Sequence, residues 1–258
     1  METKTKELIV LKVGSSTLTA GTQRISRGKI EDIARQLLVL QQDYEIVLVS
    51  SGAIATAKQF INIKGWENVV SSKQAMSAIG QPKLMQIYYE IFSDFGLKIA
   101  QCLLTYRDFE SENSKTNTFN TIAELLKHGY LPIINENDTV SVEEIIVGDN
   151  DQLSAKVATL IKAKKLVLAS DIDGLYDQNP HLYPEAQFIE NVTDFSVLNT
   201  YIEEKSNGLG TGGMTSKIKA AKICTKAGIE VFIVNGNRRN FLVDCLKKQI
   251  PFTKFSKS

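Results

Sequence analysis

Six short runs rich in apolar and β-branched residues, at positions 8–13, 45–50, 98–104, 131–135, 166–170 and 231–234, alternate with stretches of helical periodicity. This alternation limits the fold more than any other feature of the chain. Strands separated by helices pair in parallel through right-handed crossovers, so the expected architecture is α/β, with a mostly parallel sheet covered by helices on both faces. Helical patterns fall at 29–42, 71–95, 118–128, 151–163, 214–227 and around 240–248, with small-residue helix opening at 51–55. Pro82 is expected to break or kink the long pattern at 71–95, and 171–190 reads as loop. No repeat, low-complexity tract or linker interrupts the 258 residues, which are read as a single domain, 1–258, with two functional halves.

In such a sheet, ligands bind at the carboxyl ends of the strands. Polar residues collect there, at 12–16, 50–52, 135–138, 170–173 and 235–236. Charge is balanced, with 30 Lys and Arg against 29 Asp and Glu, and the basic residues are scattered. That pattern argues for small-molecule partners and against nucleic acid or an acidic membrane. Cys102, Cys224 and Cys245 lie in apolar patterns and are expected to be reduced core residues. No signal-peptide or membrane-spanning run is present, so a cytoplasmic location is expected.

The stretch Gly208-Leu-Gly-Thr-Gly-Gly-Met-Thr-Ser-Lys217 leads into the helical pattern at 214–227. Glycines allow close backbone approach, and free N–H groups at a helix start attract anions, so this turn can cradle phosphate. Gly208, Gly210 and Gly213 also satisfy G-x-G-x-x-G. A dinucleotide fold would need a strand before the motif, yet 199–207 is polar, and an acid after the next strand, which ends at Asn235. A Walker A spacing is absent as well. The plain alternative is a flexible surface loop.

Lys12 ends an apolar strand, with Gly14 and Ser15 beside it. Such a lysine either snorkels to water or binds an anion offered to neighbouring N–H groups. With Lys217 it forms the pair of cations that phosphoryl transfer uses for positioning and charge stabilisation. The clusters at 135–138 and 147–151 hold short carboxylates and amides. They read as Asx turns and a helix cap, as Asp138 pairing a substrate ammonium while Asp151 holds the lysines, or as a Mg²⁺ site. Neither His128 nor His181 is placed as a general base, which points to an acceptor that is already ionised, a carboxylate or a phosphate.

Six motifs in order carry a resemblance along essentially the whole chain: residues 11–18, 50–55, 135–138, 147–154, 170–176 and 208–217. Together they resemble the glutamate 5-kinases of the amino acid kinase family. The resemblance implies a three-layer αβα sandwich, ATP with Mg²⁺ held mainly through the nucleotide phosphates, and phosphorylation of the side-chain carboxylate of L-glutamate in proline biosynthesis. It implies catalytic roles for Lys12, Lys217 and Asp151, with no metal ligands assigned. Ser51, Gly52, Asn135, Asp138 and Asn150 are implied as substrate-binding residues in a mainly substrate-binding N-terminal half. Lys12, Ser170, Asp171, Thr211, Gly212, Gly213, Met214, Thr215, Ser216 and Lys217 are implied as ATP-binding residues, most of them in the C-terminal half. A homo-oligomer, dimer or tetramer, and feedback inhibition by proline belong to the same expectation. The chain ends at Ser258, which would make it a short form lacking the C-terminal PUA domain of many members. Ser170 stands where many members have Thr. Of the family's Arg-aromatic-Asn pattern after Leu104, only Asn117 matches.

Overall fold

The structure is a computed structural model and describes residues 6–62, 64–66, 69–141, 150–178, 180, 182–198 and 213–257. Its strands are β1 (Glu7–Val13), β2 (Tyr44–Ser50), β3 (Lys98–Leu104), β4 (Tyr130–Glu136), β5 (Lys165–Ser170), β6 (Leu175–Tyr176), β7 (Phe188–Ile189), β8 (Asn191–Val192), β9 (Glu230–Asn235) and β10 (Phe252–Phe255). Its helices are α1 (Ser15–Thr19), α2 (Arg27–Leu40), α3 (Ala53–Phe60), α4 (Val70–Asp94), α5 (Glu112–Lys127), α6 (Asn150–Leu160), α7 (Met214–Lys226) and α8 (Phe241–Leu246). Eight strands form one sheet in the order β3-β4-β2-β1-β5-β9-β10-β8. Pairing is parallel from β3 through β9, while β10 runs antiparallel to β9.

Alternation of side chains along each strand divides the interior into two layers. Ile9, Leu11 and Val13 of β1 pack with Ile30 and Leu37 of α2, Leu84 and Tyr88 of α4, and Phe241 of α8. Val10 faces the opposite way, into a core shared with Val157 of α6, Ala221 of α7 and Ile122 of α5. The result is the expected three-layer αβα sandwich. The chain order reverses at the middle, where β1 has β2 on one side and β5 on the other. Crevices at such switch points receive ligands.

Several boundaries differ from the sequence reading. Helix α4 runs unbroken through Pro82. An interior proline costs about 3 kcal/mol, but the packing of Met76, Gly80, Leu84, Tyr88 and Ile91 along one side of this helix carries it across. Helix α5 starts at Glu112 instead of 118 because the Ser111 side chain accepts from the Ser114 N–H and caps it. The loop at 171–190 contains β6 and β7, an antiparallel pair, and the chain closes on β10, which the sequence reading did not include. All three cysteines are free; Cys224 and Cys245 are buried, whereas Cys102 is only partly buried because β3 is an edge strand. Among the described residues, no helix is long and apolar enough to cross a membrane.

Candidate active site

Parity along β1 places Lys12 with Val10, on the face covered by α6 and α7. Its strand is flanked on both sides, with Lys12 opposite Val49 of β2 and Leu168 of β5, so the side chain has no edge to leave by. Its ammonium meets Asp151 Oδ1 at 2.7 Å. Lys217, in the first turn of α7, reaches Oδ2 of the same carboxylate at 3.1 Å. All three residues are buried, and Asp151 is only 1% exposed.

Two helix starts therefore converge here with opposite electrostatic fit. Asp151 sits in the first turn of α6, where a helix dipole favours an anion. Lys217 sits in the first turn of α7, where the dipole disfavours a cation, and the Asp151 carboxylate offsets that. Burial alone would push the Asp151 carboxyl up; the charges of Lys12 and Lys217, with their hydrogen bonds, outweigh it and hold the group below the usual carboxylate range. One carboxylate for two ammonium groups leaves net positive charge.

That charge faces a cleft of about 290 Å³ lined by Lys12, Gly14, Ser15, Ser16, Ser51, Ala169, Ser170, Asp171, Ile172, Gly213, Met214 and Lys217. A Cβ on Gly14 would stand 3.3 Å from Lys12 Nζ, so glycine there keeps space beside the ammonium. The cations, hydroxyls and open backbone of this lining suit a phosphate chain, and Asp171 adds one carboxylate beside them. Ser170 donates to Asp171 Oδ1 at 3.2 Å. Beyond them, Asp173 accepts from Arg238 at 2.9 and 2.7 Å and from Asn235 at 3.0 Å, tying the loop after β5 to the end of β9. Thr215 and Ser216 lie in the first turn of α7 but do not line the cleft. Thr211 and Gly212, with the rest of the glycine stretch before Gly213, fall outside the described residues.

A second group of residues adjoins this cleft through Ser51. Asn150, the residue before Asp151, is 1% exposed; its Nδ2 donates to Ser51 Oγ at 2.8 Å and to Asn135 Oδ1 at 2.9 Å. Both amide hydrogens are thereby used. Its Oδ1 is buried and has no hydrogen-bond partner among the described residues. A buried acceptor of this kind takes a donor from water or from a ligand. Asp138, in the turn after β4, is also buried, and burial raises its pKa while a hydrogen bond from Ser77 opposes the rise. Gly52 takes φ 113°, a left-handed turn open to glycine, and starts α3 directly after Ser51.

The sequence reading missed Ser77 and Gln81, which hold Asp138 and Asn135 respectively. The available signal was faint: two polar residues inside the long apolar pattern of α4. His128 pairs with Glu124 just before β4, at the amino end of the sheet and away from this site; His181 is outside the described residues. Among the described residues, no three His, Cys, Asp or Glu side chains are grouped to hold a metal ion.

Residues 7–235 match the family model described as Amino acid kinase family. The chain is 44% identical over 236 residues to "Glutamate 5-kinase" of Thermoanaerobacter sp. (strain X514), a match covering 91% of this chain and 63% of that protein. It is 43% identical over 252 residues to "Glutamate 5-kinase" of Clostridium acetobutylicum, covering 96% and 93% respectively. A third relative of that name, from Pasteurella multocida, is 40% identical over 258 residues, covering 98% and 70%. The chain thus spans slightly less than two thirds of the Thermoanaerobacter relative and nearly all of the Clostridium one. Among solved structures, UMP kinase from Ureaplasma parvum superposes with a TM-score of 0.69 at 19% identity, over 98% of this chain and all of that one. Carbamate kinase from Giardia lamblia bound to AMP-PNP does so with a TM-score of 0.70 at 13% identity, over 99% and 100%. At these identities the structural likeness speaks for the fold.

Proposed function

The chain belongs to the amino acid kinase family, and from that premise we propose that it transfers the γ-phosphoryl group of ATP to the side-chain carboxylate of L-glutamate, giving γ-glutamyl phosphate. The observation that carries the reading is the pairing of a doubly cationic clamp, Lys12 and Lys217 on Asp151, with an adjoining subsite in which the buried Asn150 Oδ1 lacks a donor among the described residues. The names of the relatives, glutamate 5-kinase, support glutamate as the acceptor.

In this reading the cleft holds the nucleotide phosphates, with Ser170, Asp171 and Gly213 to Lys217 on the nucleotide side; Thr211 and Gly212 belong to the same assignment. Asp138 and Asn150 Oδ1 receive the substrate ammonium, and Ser51, Gly52 and Asn135 complete the pocket. The N-terminal half thus serves mainly the acceptor and the C-terminal half mainly ATP, in one domain. An oxygen of the glutamate γ-carboxylate attacks the γ-phosphorus as its bond to the β-phosphate oxygen breaks, and ADP leaves. Lys12 and Lys217 meet the charge on the equatorial oxygens, and Asp151 keeps both ammonium groups aimed. The acceptor is ionised already, so no general base is required. Mg²⁺ bound through the nucleotide phosphates would neutralise further charge there.

The test is ATP turnover that depends on glutamate and yields a hydroxylamine-trappable acyl phosphate. A chain that turns over aspartate, N-acetylglutamate, carbamate or UMP, and leaves glutamate untouched, sinks the reading. Adding proline to the same assay tests feedback inhibition.

A further inference from the structure

Helix α4 supplies none of the residues assigned above, yet its buried side holds the acceptor subsite from behind. Ser77 and Gln81 stand one turn apart on the same face, and both are buried. A helical serine commonly returns its hydroxyl to a backbone carbonyl of its own helix. Ser77 instead donates to Asp138 Oδ2 at 2.5 Å. Gln81 Oε1 accepts from Asn135 Nδ2 at 2.9 Å. Between them is Gly80, where an added Cβ would lie 1.8 Å from the carbonyl oxygen of Ala53, so α3 and the Ser51-Gly52 turn at its start rest directly on α4.

The amides can be satisfied in one orientation. Asn150 Nδ2 spends both hydrogens on Ser51 and Asn135. Asn135 Oδ1 accepts from Asn150 and from the Glu136 N–H at 2.9 Å, so its NH₂ must point to Gln81, and Gln81 must answer with oxygen. Turning Gln81 over would set two NH₂ groups against each other and release Asn135, then Asn150.

We infer that Ser77 and Gln81 are positioning residues for the acceptor: Ser77 fixes the Asp138 carboxylate, and Gln81 fixes the amide orientation of Asn135 and, through it, of Asn150. The inference rests on the reading of Asp138 and Asn150 as acceptor-binding groups. Its chemical content is the polarity of the subsite. With Ser77 on Oδ2, Asp138 keeps its other oxygen for a donor; with both Asn150 hydrogens used, that amide presents only oxygen. Two acceptors select an ammonium and repel a carboxylate, which orients an amino acid whose two ends carry opposite charge.

The experiment is a pair of kinetic comparisons in the acyl-phosphate assay. Ser77→Ala raises the KM for the acceptor about tenfold, the scale of one hydrogen bond to a charged group. It leaves kcat and the KM for ATP within about twofold, because it acts on binding of the acceptor alone. In the Asp138→Asn background, Ser77→Ala adds less than about twofold, since coupled residues are not additive. Gln81→Leu gives a comparable rise in acceptor KM. Gln81→Glu, which keeps an oxygen for Asn135 and can take a hydrogen bond from the exposed Gln101, now 3.4 Å from Gln81 Nε2, restores it to within about threefold. Equal effects of Ser77→Ala in both backgrounds, an unchanged acceptor KM, or a Glu variant no better than Leu overturns the inference. Thermal melting checks that each variant is folded, and the Ser77 cycle decides alone if a Gln81 variant is not. Absence of wild-type turnover with glutamate would overturn the functional reading instead, and the cycle is then run on the acceptor that an amino-acid panel identifies.

Discussion

Asp138 and Asp151 are both buried aspartates of one site, and their surroundings drive them in opposite directions. Asp151 is compressed between two ammonium groups that hold it ionised. Asp138 accepts from the Ser77 hydroxyl, and burial pushes its carboxyl up. The Asp151 carboxylate has both its oxygens paired within the chain, while the two lysines keep a net positive charge. The ionised form of Asp138 is best supported when a cation arrives. In the proposed function the difference separates two tasks: the clamp serves the step in which charge moves, and the acceptor subsite serves recognition.

The largest expected effect breaks the clamp. Lys217→Ala lowers kcat by about two to three orders of magnitude, as removal of one charge-stabilising donor does, with acceptor KM changed little; steady-state kinetics read both. A rate near that of the wild type would remove Lys217 from the chemistry. Asp151→Asn strands two buried lysines, so stability falls by about 3 kcal/mol or more; for a chain of this size that lowers the melting temperature by roughly 6–12 °C. Asp138→Asn raises acceptor KM by about one to two orders of magnitude while leaving the melting temperature unchanged or slightly higher. Equal melting losses in the two Asp→Asn variants would erase the contrast.

The smallest effect is in pH. The depressed carboxyl of Asp151 contributes stability that is present above its unfolded pKa and is lost as pH falls through the lower folded value. The raised carboxyl of Asp138 has the reverse sign: its contribution is greatest below the ordinary value and is lost as pH rises through the folded one. Acidification therefore protonates Asp138 first. Acceptor KM rises before kcat falls, and the Asp138→Asn variant lacks that early limb in its profile. A profile that is identical in the two chains would detach Asp138 from binding.

Much of this was legible before any coordinates. A lysine at the end of an apolar strand is a conflict between residue and pattern, and Lys12 resolves it on Asp151. The polar clusters at strand ends marked where Ser51, Asn135 and Asp138 would lie, since sheet topology gathers such ends together, while the roles proposed for them rest on the family resemblance. What stayed hidden has a physical cause. Ser77, Gly80 and Gln81 occupy helix positions whose periodicity says only that a face is buried, not what lies across from it. Strand β10 is four residues long, too short for its alternation to stand out, and its place is set by pairing with β9. The helix is not broken at Pro82 because a local penalty was outweighed by packing along 25 residues.

The place of β1 in the sheet also has a consequence for the order in which the chain matures. Strands β1 to β4 have all been made once residue 136 exists, and they form a contiguous half sheet, β3-β4-β2-β1. The other neighbour of β1 is β5, made about thirty residues later, and Lys217 arrives later still. During synthesis the apolar edge of β1 is therefore open, and it is the edge most able to pair with a second nascent copy. Pairing of β5 with β1 closes that edge before Lys217 is made, so the exposure ends before the clamp can be completed.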